Sequence, residues 1–282
     1  MTATASSASG TAGHAGSSGR HERTRWTGSS VPTQIMVLTG RSLRALRDPH
    51  IIVMSLLQPM VMVTLFSQVF RSIAQTPGFP AGVEYIDYLM PAILVTTATQ
   101  TSLWSGVGLA NDLRNGALAR FRAMPIRMGS LLTGRSLSDL VRNTVQLVIL
   151  TVTATLLYGY GPAGGVTGTL GALLLAMVLG WGLSWVFIAV ACWVRNVEAM
   201  QMVGFIAIFP LMFASSAYVP VENLPGWLQA IADVNPLTYA IDAARGLALG
   251  NATPSPVIAA LVTCAVLVVV AGPLAARGIR RS

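Results

Sequence analysis

Lysine is absent from this chain of 282 residues, so its 18 basic residues are all arginine. Charge of either sign is scarce: 10% of residues against about 25% in an ordinary soluble domain, beside a hydrophobic fraction of 53%. A water-soluble fold would lack polar surface, which excludes a basic soluble nucleic-acid binder. Without lysine the chain cannot contain a Gly-x-x-x-x-Gly-Lys-Ser/Thr phosphate loop. The two cysteines, Cys192 and Cys264, lie in apolar stretches where a thiol behaves as a small hydrophobe. Neither they nor the scattered His14, His21 and His50 offer a metal spacing. The centres of the apolar stretches hold no Asp or Glu, which argues against a site for a coupling proton or sodium ion.

What the chain does have is six long apolar runs: Ile51–Phe70, Tyr88–Ala110, Leu137–Tyr158, Val166–Val194, Val197–Tyr218 and Val257–Ala275. A helix rising about 1.5 Å per residue needs roughly 20 residues to cross 30 Å of hydrocarbon, so each run predicts a membrane span. Sixteen of the 18 arginines cluster before run one, between runs two and three or just inside the third, between runs four and five, and after run six. Positive charge near span ends is retained on the cytoplasmic side, so both termini are predicted to be cytoplasmic. The other connections hold only Arg71 and Arg245, together with Glu84, Asp87, Glu222, Asp233 and Asp242. The expectation is an all-α protein of the cell membrane with a six-helix domain at 34–282, preceded at 1–33 by a Ser/Ala/Gly/Thr-rich disordered tail.

Three segments outside the runs have a helical reading. Over 34–48, Arg41, Arg44 and Arg47 project from one side and Ile35, Leu38, Leu43 and Leu46 from the other, as in a helix lying in the interface; the arginines serve equally as orientation signals. In the loop at 111–128, Leu113, Ala117, Phe121 and Met124 recur at helical spacing while Arg114 and Arg122 face elsewhere; Arg120 interrupts the pattern, so the amphipathicity is partial, and Pro125 ends it. Such a helix suits a groove on a partner protein, or a basic loop resting on the membrane. The segment 220–250 predicts two short helices, one beginning near Pro225 and one capped by Asn235 with Pro236 at its first position. It would lie externally as a re-entrant cap, with Trp227 and Tyr239 at headgroup level. Asp242 and Arg245, three apart, would form an exposed pair of little energetic weight.

Two patterns within the runs offer a pathway. Phe205, Phe209 and Phe213, with Met202 and Met212 nearby, form a stripe suited to a greasy or planar substrate, and equally to packing or lipid. Thr96, Thr97, Thr99, Gln100, Thr101 and Ser102 form a polar patch near mid-membrane that favours a cavity or a helix contact. Asp139 and Arg142 read as an inner-end pair, and Gly164-x-x-x-Gly168 as a point of close helix approach.

The stretch Asp112-Leu-Arg-Asn-Gly116…Arg120-Phe-Arg…Met124-Pro125-Ile and the later Pro225-Gly-Trp227-Leu…Asn235-Pro236-Leu-Thr…Ala-Arg245-Gly-Leu resemble the membrane subunit of type-2 ATP-binding-cassette exporters, in particular the daunorubicin-resistance permease group. The resemblance covers roughly residues 34–282 in span order and loop placement. It implies that the loop around Asp112, Leu113, Gly116, Arg120, Phe121, Arg122 and Pro125 is a coupling helix docking on a separate ATPase chain, which would hold the ATP and magnesium. It further implies a second permease subunit, identical or related, no covalent chemistry in this chain, and outward movement of a hydrophobic or amphipathic compound such as an antibiotic. Export of a lipid or envelope-glycan precursor would use the same scaffold; an ion-coupled transporter or a non-transporting scaffold is the reading from other classes.

Overall fold

Where no water reaches, a backbone amide must find its partner within the protein, and a helix supplies that partner locally. The computed structural model describes residues 49–70, 72, 79–80, 82–115 and 128–280, and no strand occurs among them. Its helices are α1 (Pro49–Val69), α2 (Tyr85–Arg114), α3 (Met128–Tyr158), α4 (Gly165–Val194), α5 (Val197–Phe213), α6 (Gly226–Val234), α7 (Pro236–Leu249) and α8 (Pro254–Arg280), with a 3₁₀ turn at Val221–Asn223. The tail at 1–33, the segment 34–48 with Arg41, Arg44 and Arg47, and the loop residues Gly116, Arg120, Phe121, Arg122 and Pro125 lie outside the described residues.

The six apolar runs fall on α1 to α5 and α8 in order. α4, α8 and the Leu132–Tyr158 part of α3 have the length and apolarity to cross a membrane, while Val53–Val69 of α1 and all of α5 are shorter apolar helices. α2 is long enough at 30 residues, but its threonines and serines dilute its apolarity. Run five ends earlier than its apolar character suggests, at Phe213 rather than Tyr218. The cause is Asn235, whose Nδ2 donates to the carbonyls of Leu211 at 2.7 Å and Ala214 at 2.6 Å. These are end-of-helix acceptors that no further turn of α5 reaches, and the chain turns away toward α6.

α2 is the axis of the fold. Most of its residues are buried, and it packs most extensively on α4, with further contacts to α1, α3, α5 and α7. Glycines make the close crossings possible: a Cβ on Gly106 would lie 2.7 Å from the Phe187 carbonyl, and one on Gly180 2.9 Å from the Ala98 Cβ. α7, at 14 residues about 21 Å long and too short to cross, wedges between α2, α4 and α8. Its buried face includes Leu237, Ala240, Ile241 and Ala244. Gly164 and Gly168 form the anticipated close approach, and their partner is the backbone of Leu247 and Ala248 at the end of α7. Gly164 N donates to the Ala248 carbonyl at 2.9 Å.

The arginine-bearing helix ends gather at one end of the bundle. There Arg135 pairs with Asp112, Arg114 with Glu198 at 3.2 Å, and Arg195 donates to the Gly278 carbonyl at 3.4 Å. The opposite end holds α6, α7 and the starts of α2 and α4. At that end Gly161 N donates to the Asp87 carboxylate at 3.0 Å; burial raises the pKa of this acid, and the Gly161 bond holds the rise back.

Gly168→Val places side-chain atoms against the α7 backbone and is expected to cost about 1–3 kcal/mol by overpacking. Thermal unfolding of the purified protein in detergent, compared with Gly272→Val where the added atom meets nothing, checks this.

Candidate functional site

The polar patch of α2 divides by direction. Thr96, Thr99 and Ser102 turn back onto their own helix and donate to the carbonyls of Ile93, Val95 and Thr99. Thr97, Gln100 and Thr101 instead line a cleft of about 320 Å³ between α1, α2 and α3. α1 contributes Met54, Ser55, Gln58 and Pro59 to it, and α3 contributes Arg142, Val145 and Gln146. Gln58 Nε2 donates to Gln100 Oε1 at 2.7 Å, Thr101 Oγ1 to Gln146 Oε1 at 3.3 Å, and Gln146 Nε2 to the Ser55 carbonyl at 3.0 Å. Three glutamines on three helices thus meet at one level. Gln58 and Gln146 escaped the sequence reading, although a glutamine isolated in an apolar run is a signal of its own.

Behind the cleft, Asp139 and Arg142 pair at 3.5 Å, as their spacing suggests. Asp139 lines a separate void of about 10 Å³ with Ser105, Asn143 and Ser184, while Arg142 lines the cleft.

The aromatic stripe is real but faces elsewhere. Phe205, Phe209 and Phe213 stack along α5 with centroids 5.0 and 4.6 Å apart, and the series continues to Tyr218 at 5.6 Å and on to Phe66 of α1. Phe205 and Met202 are each more than 60% exposed, so the stripe lies on the outside of the single chain and not in the cleft. One contact joins the two patterns: Gln100 Nε2 reaches Met212 Sδ at 3.5 Å.

At the α6–α7 end the pair Asp242–Arg245 corrects its expected exposure. Arg245 is only 7% exposed and Asp242 holds it at 2.9 Å. Arg245 also donates to the carbonyls of Tyr88 at 3.2 Å and Ser216 at 2.7 Å, and its guanidinium lies 3.6 Å over the Tyr88 ring. Ser216 Oγ completes the set by donating to Asp242 Oδ1 at 2.6 Å. The planar fork satisfies a carboxylate, two main-chain oxygens and a ring face together, clamping α7 to the start of α2 and to the turn after α5. Spacing three apart could reveal the pair but not the helices that cover it. Asn235 caps α7 as expected, accepting from Leu237 N at 2.9 Å beside Pro236, and is itself buried. Trp227 is exposed, and Tyr239 donates to the Asp233 carbonyl at 2.6 Å. At the arginine end, Asp112 accepts from Arg135, and Leu113 packs partly buried against the core cluster that includes Val107, Leu109 and Phe187.

The described residues thus form a bundle of apolar helices with a polar cleft between α1, α2 and α3 and a buried clamp where α7 meets the start of α2. The family model described as ABC-2 type transporter matches residues 33–249. The chain belongs to the ABC-2 type transporter family. This ABC-2 permease is 33% identical over 222 residues to the "Daunorubicin resistance ABC transporter permease protein DrrB1" of Streptomyces coeruleorubidus, covering 78% of this chain and 76% of the relative. It is 30% identical over 254 residues to the "Probable doxorubicin resistance ABC transporter permease protein DrrC" of Mycobacterium tuberculosis, covering 88% and 89%. It is therefore a multi-pass membrane protein and the membrane subunit of an ABC exporter system.

Replacing Arg245 with Ala leaves the main-chain carbonyls of Tyr88 and Ser216 without this donor, and Asp242 with Ser216 Oγ and solvent, and is expected to lower stability by about 2–3 kcal/mol. Denaturant titration of the purified permease tests this. Arg245→Lys should recover only part of the loss, because an ammonium lacks the planar fork.

Proposed function

We propose that this permease carries a hydrophobic or amphipathic compound, such as an antibiotic, outward across the cell membrane with energy drawn from a separate ATPase chain. The observation that carries the reading is family membership over residues 33–249 in a chain whose lack of lysine excludes a phosphate loop of its own. ATP and magnesium belong to the partner. All six apolar runs cross the bilayer, with α1, α2 and α5 completing the set begun by α3, α4 and α8, and both termini are cytoplasmic. The arginine-bearing end of the bundle then faces the cytoplasm, where positive charge is retained.

The loop following Arg114, with Arg120, Phe121, Arg122 and Pro125, docks on the ATPase. Asp112 and Leu113 form the last turn of α2 before that loop and convey its displacement into the most buried helix. Two permease subunits, identical or related, enclose the route, and the outward-facing stripe of Phe205, Phe209 and Phe213 is the surface a second subunit meets. Alternation between two packings of the bundle, biased by nucleotide in the partner, moves the cargo. The clamp at Arg245 and Asp242 holds the outer segment as a unit through that change.

Reconstituted with its ATPase chain, the permease should move an amphipathic drug only in the presence of hydrolysable ATP. Phe121→Asp should arrest transport at least tenfold without loss of membrane insertion, measured as drug accumulation in inverted vesicles and as protein in the membrane fraction. Uptake that persists without the ATPase chain and collapses with the proton gradient would overturn the reading.

A further inference from the structure

The three-glutamine cleft is asymmetric in the hydrogen bonds it has left to give. Two atoms that can only accept set the direction of its network. The Ser55 carbonyl takes an N–H of Gln146, which turns Gln146 Oε1 toward the Thr101 hydroxyl. The Met212 thioether takes an N–H of Gln100, which turns Gln100 Oε1 toward Gln58 Nε2. Two of the three amide oxygens are thereby engaged. Each amide nitrogen carries two hydrogens and spends one, so three N–H donors remain among Gln58, Gln100 and Gln146.

Arg142 adds to this surplus. Its guanidinium carries five N–H donors; Nη2 is buried toward Asp139 Oδ1 at 3.5 Å, while the side chain as a whole is 40% exposed and lines the cleft, so the remaining N–H groups are the ones a ligand can meet. Asp139 lines the small void and not the cleft, and no Asp or Glu is among the described residues that line the cleft. Along the same walls Met54, Pro59, Trp104 and Val145 present apolar surface.

We propose that the cleft receives an amphiphile with an acidic head, a carboxylate or phosphate, whose oxygens take Arg142 and the spare amide N–H groups while its apolar body lies along Trp104 and Met54. This rests on the reading of the chain as an export permease and adds to it the sign of the cargo's head. An amine head would find no carboxylate lining the cleft and would meet the donor side of Arg142, whose charge Asp139 offsets only from behind the wall. A charge-assisted hydrogen bond contributes about 1.5–3 kcal/mol, so a preference of about tenfold or more for the acidic head is expected.

Trp104 lies on the cleft wall and is half exposed, which makes it a reporter of occupancy. The full chain is placed in phosphatidylcholine nanodiscs, and Trp104 emission, isolated by subtracting a W104F control, is followed as dodecyl phosphate or dodecylamine is added. Dodecyl phosphate should bind at least tenfold more tightly. The R142Q/D139N double variant, which leaves no unpaired charge behind, should reduce that ratio to about twofold or less. R142K should keep it. Equal or tighter binding of dodecylamine overturns the proposal, as does a preference that survives in the double variant, or the lack of any Trp104-dependent response. Repeating the titration with phosphatidylglycerol in the nanodisc separates the sources of the head: weakened dodecyl phosphate binding identifies a membrane lipid as occupant, unchanged binding a free amphiphile, and either supports the acidic head. Failure of ATP-driven transport with the head preference intact would remove the exporter reading and leave the chemistry of the cleft standing.

Discussion

A polar atom held away from water must find its partner inside the protein, and this constraint organises the whole bundle. α2 carries the densest set of hydroxyl and amide side chains, and it is the helix the others enclose. Thr96, Thr99 and Ser102 return to the α2 backbone, Thr101 donates to Gln146 of α3, and the Gln100 amide oxygen accepts from Gln58 of α1. Apolar surface is distributed the other way: α8 and the outer face of α5 leave valine, isoleucine and phenylalanine exposed, as the environment of lipid or of a second subunit requires.

The two ends of the bundle are held by different physics. At the arginine end the ion pair Arg114–Glu198 is largely exposed, the kind of contact that salt screens and that contributes at most about 1 kcal/mol. At the other end, Arg245 and Asn235 are buried, and their partners are mainly main-chain oxygens. Removing either leaves acceptors with nowhere to turn, so that end is the rigid one. The Arg135–Asp112 pair and the Arg195 bond to the Gly278 carbonyl add partly buried contacts at the arginine end, but Arg135, Asp112 and Arg195 are not themselves buried as Arg245 and Asn235 are.

Much of this was legible in the residues and some was not, for definite reasons. Apolar run length placed the long helices, because hydrocarbon thickness dictates that length. Asn235-Pro236 announced the start of α7, because capping is local chemistry. Gly164 and Gly168 announced a close approach without naming the partner, which only the fold supplies. The Asp242–Arg245 pair was visible as a spacing, yet its burial depends on α2 and on the turn after α5, both distant in the chain. The phenylalanine stripe was correctly read as one face of α5, but a stripe does not say which way it points, and in one chain it points outward. The cleft was half legible: the α2 patch stood out by its density, whereas Gln58 and Gln146 mattered only once three helices brought them together.

The double engagement of Asn235 has a mechanical consequence for α5. One amide ties the last carbonyls of that helix to the first turn of α7, while the opposite tip of α5 is tied to α2 by a solvent-exposed ion pair. Between the two tips Met200 and Gly204 pack against α2, so a swing of α5 about the Asn235 anchor has to slide those contacts along α2. The exposed aromatic flank of α5 would then move more near Phe205 than near Phe213, whose neighbouring carbonyls Asn235 holds.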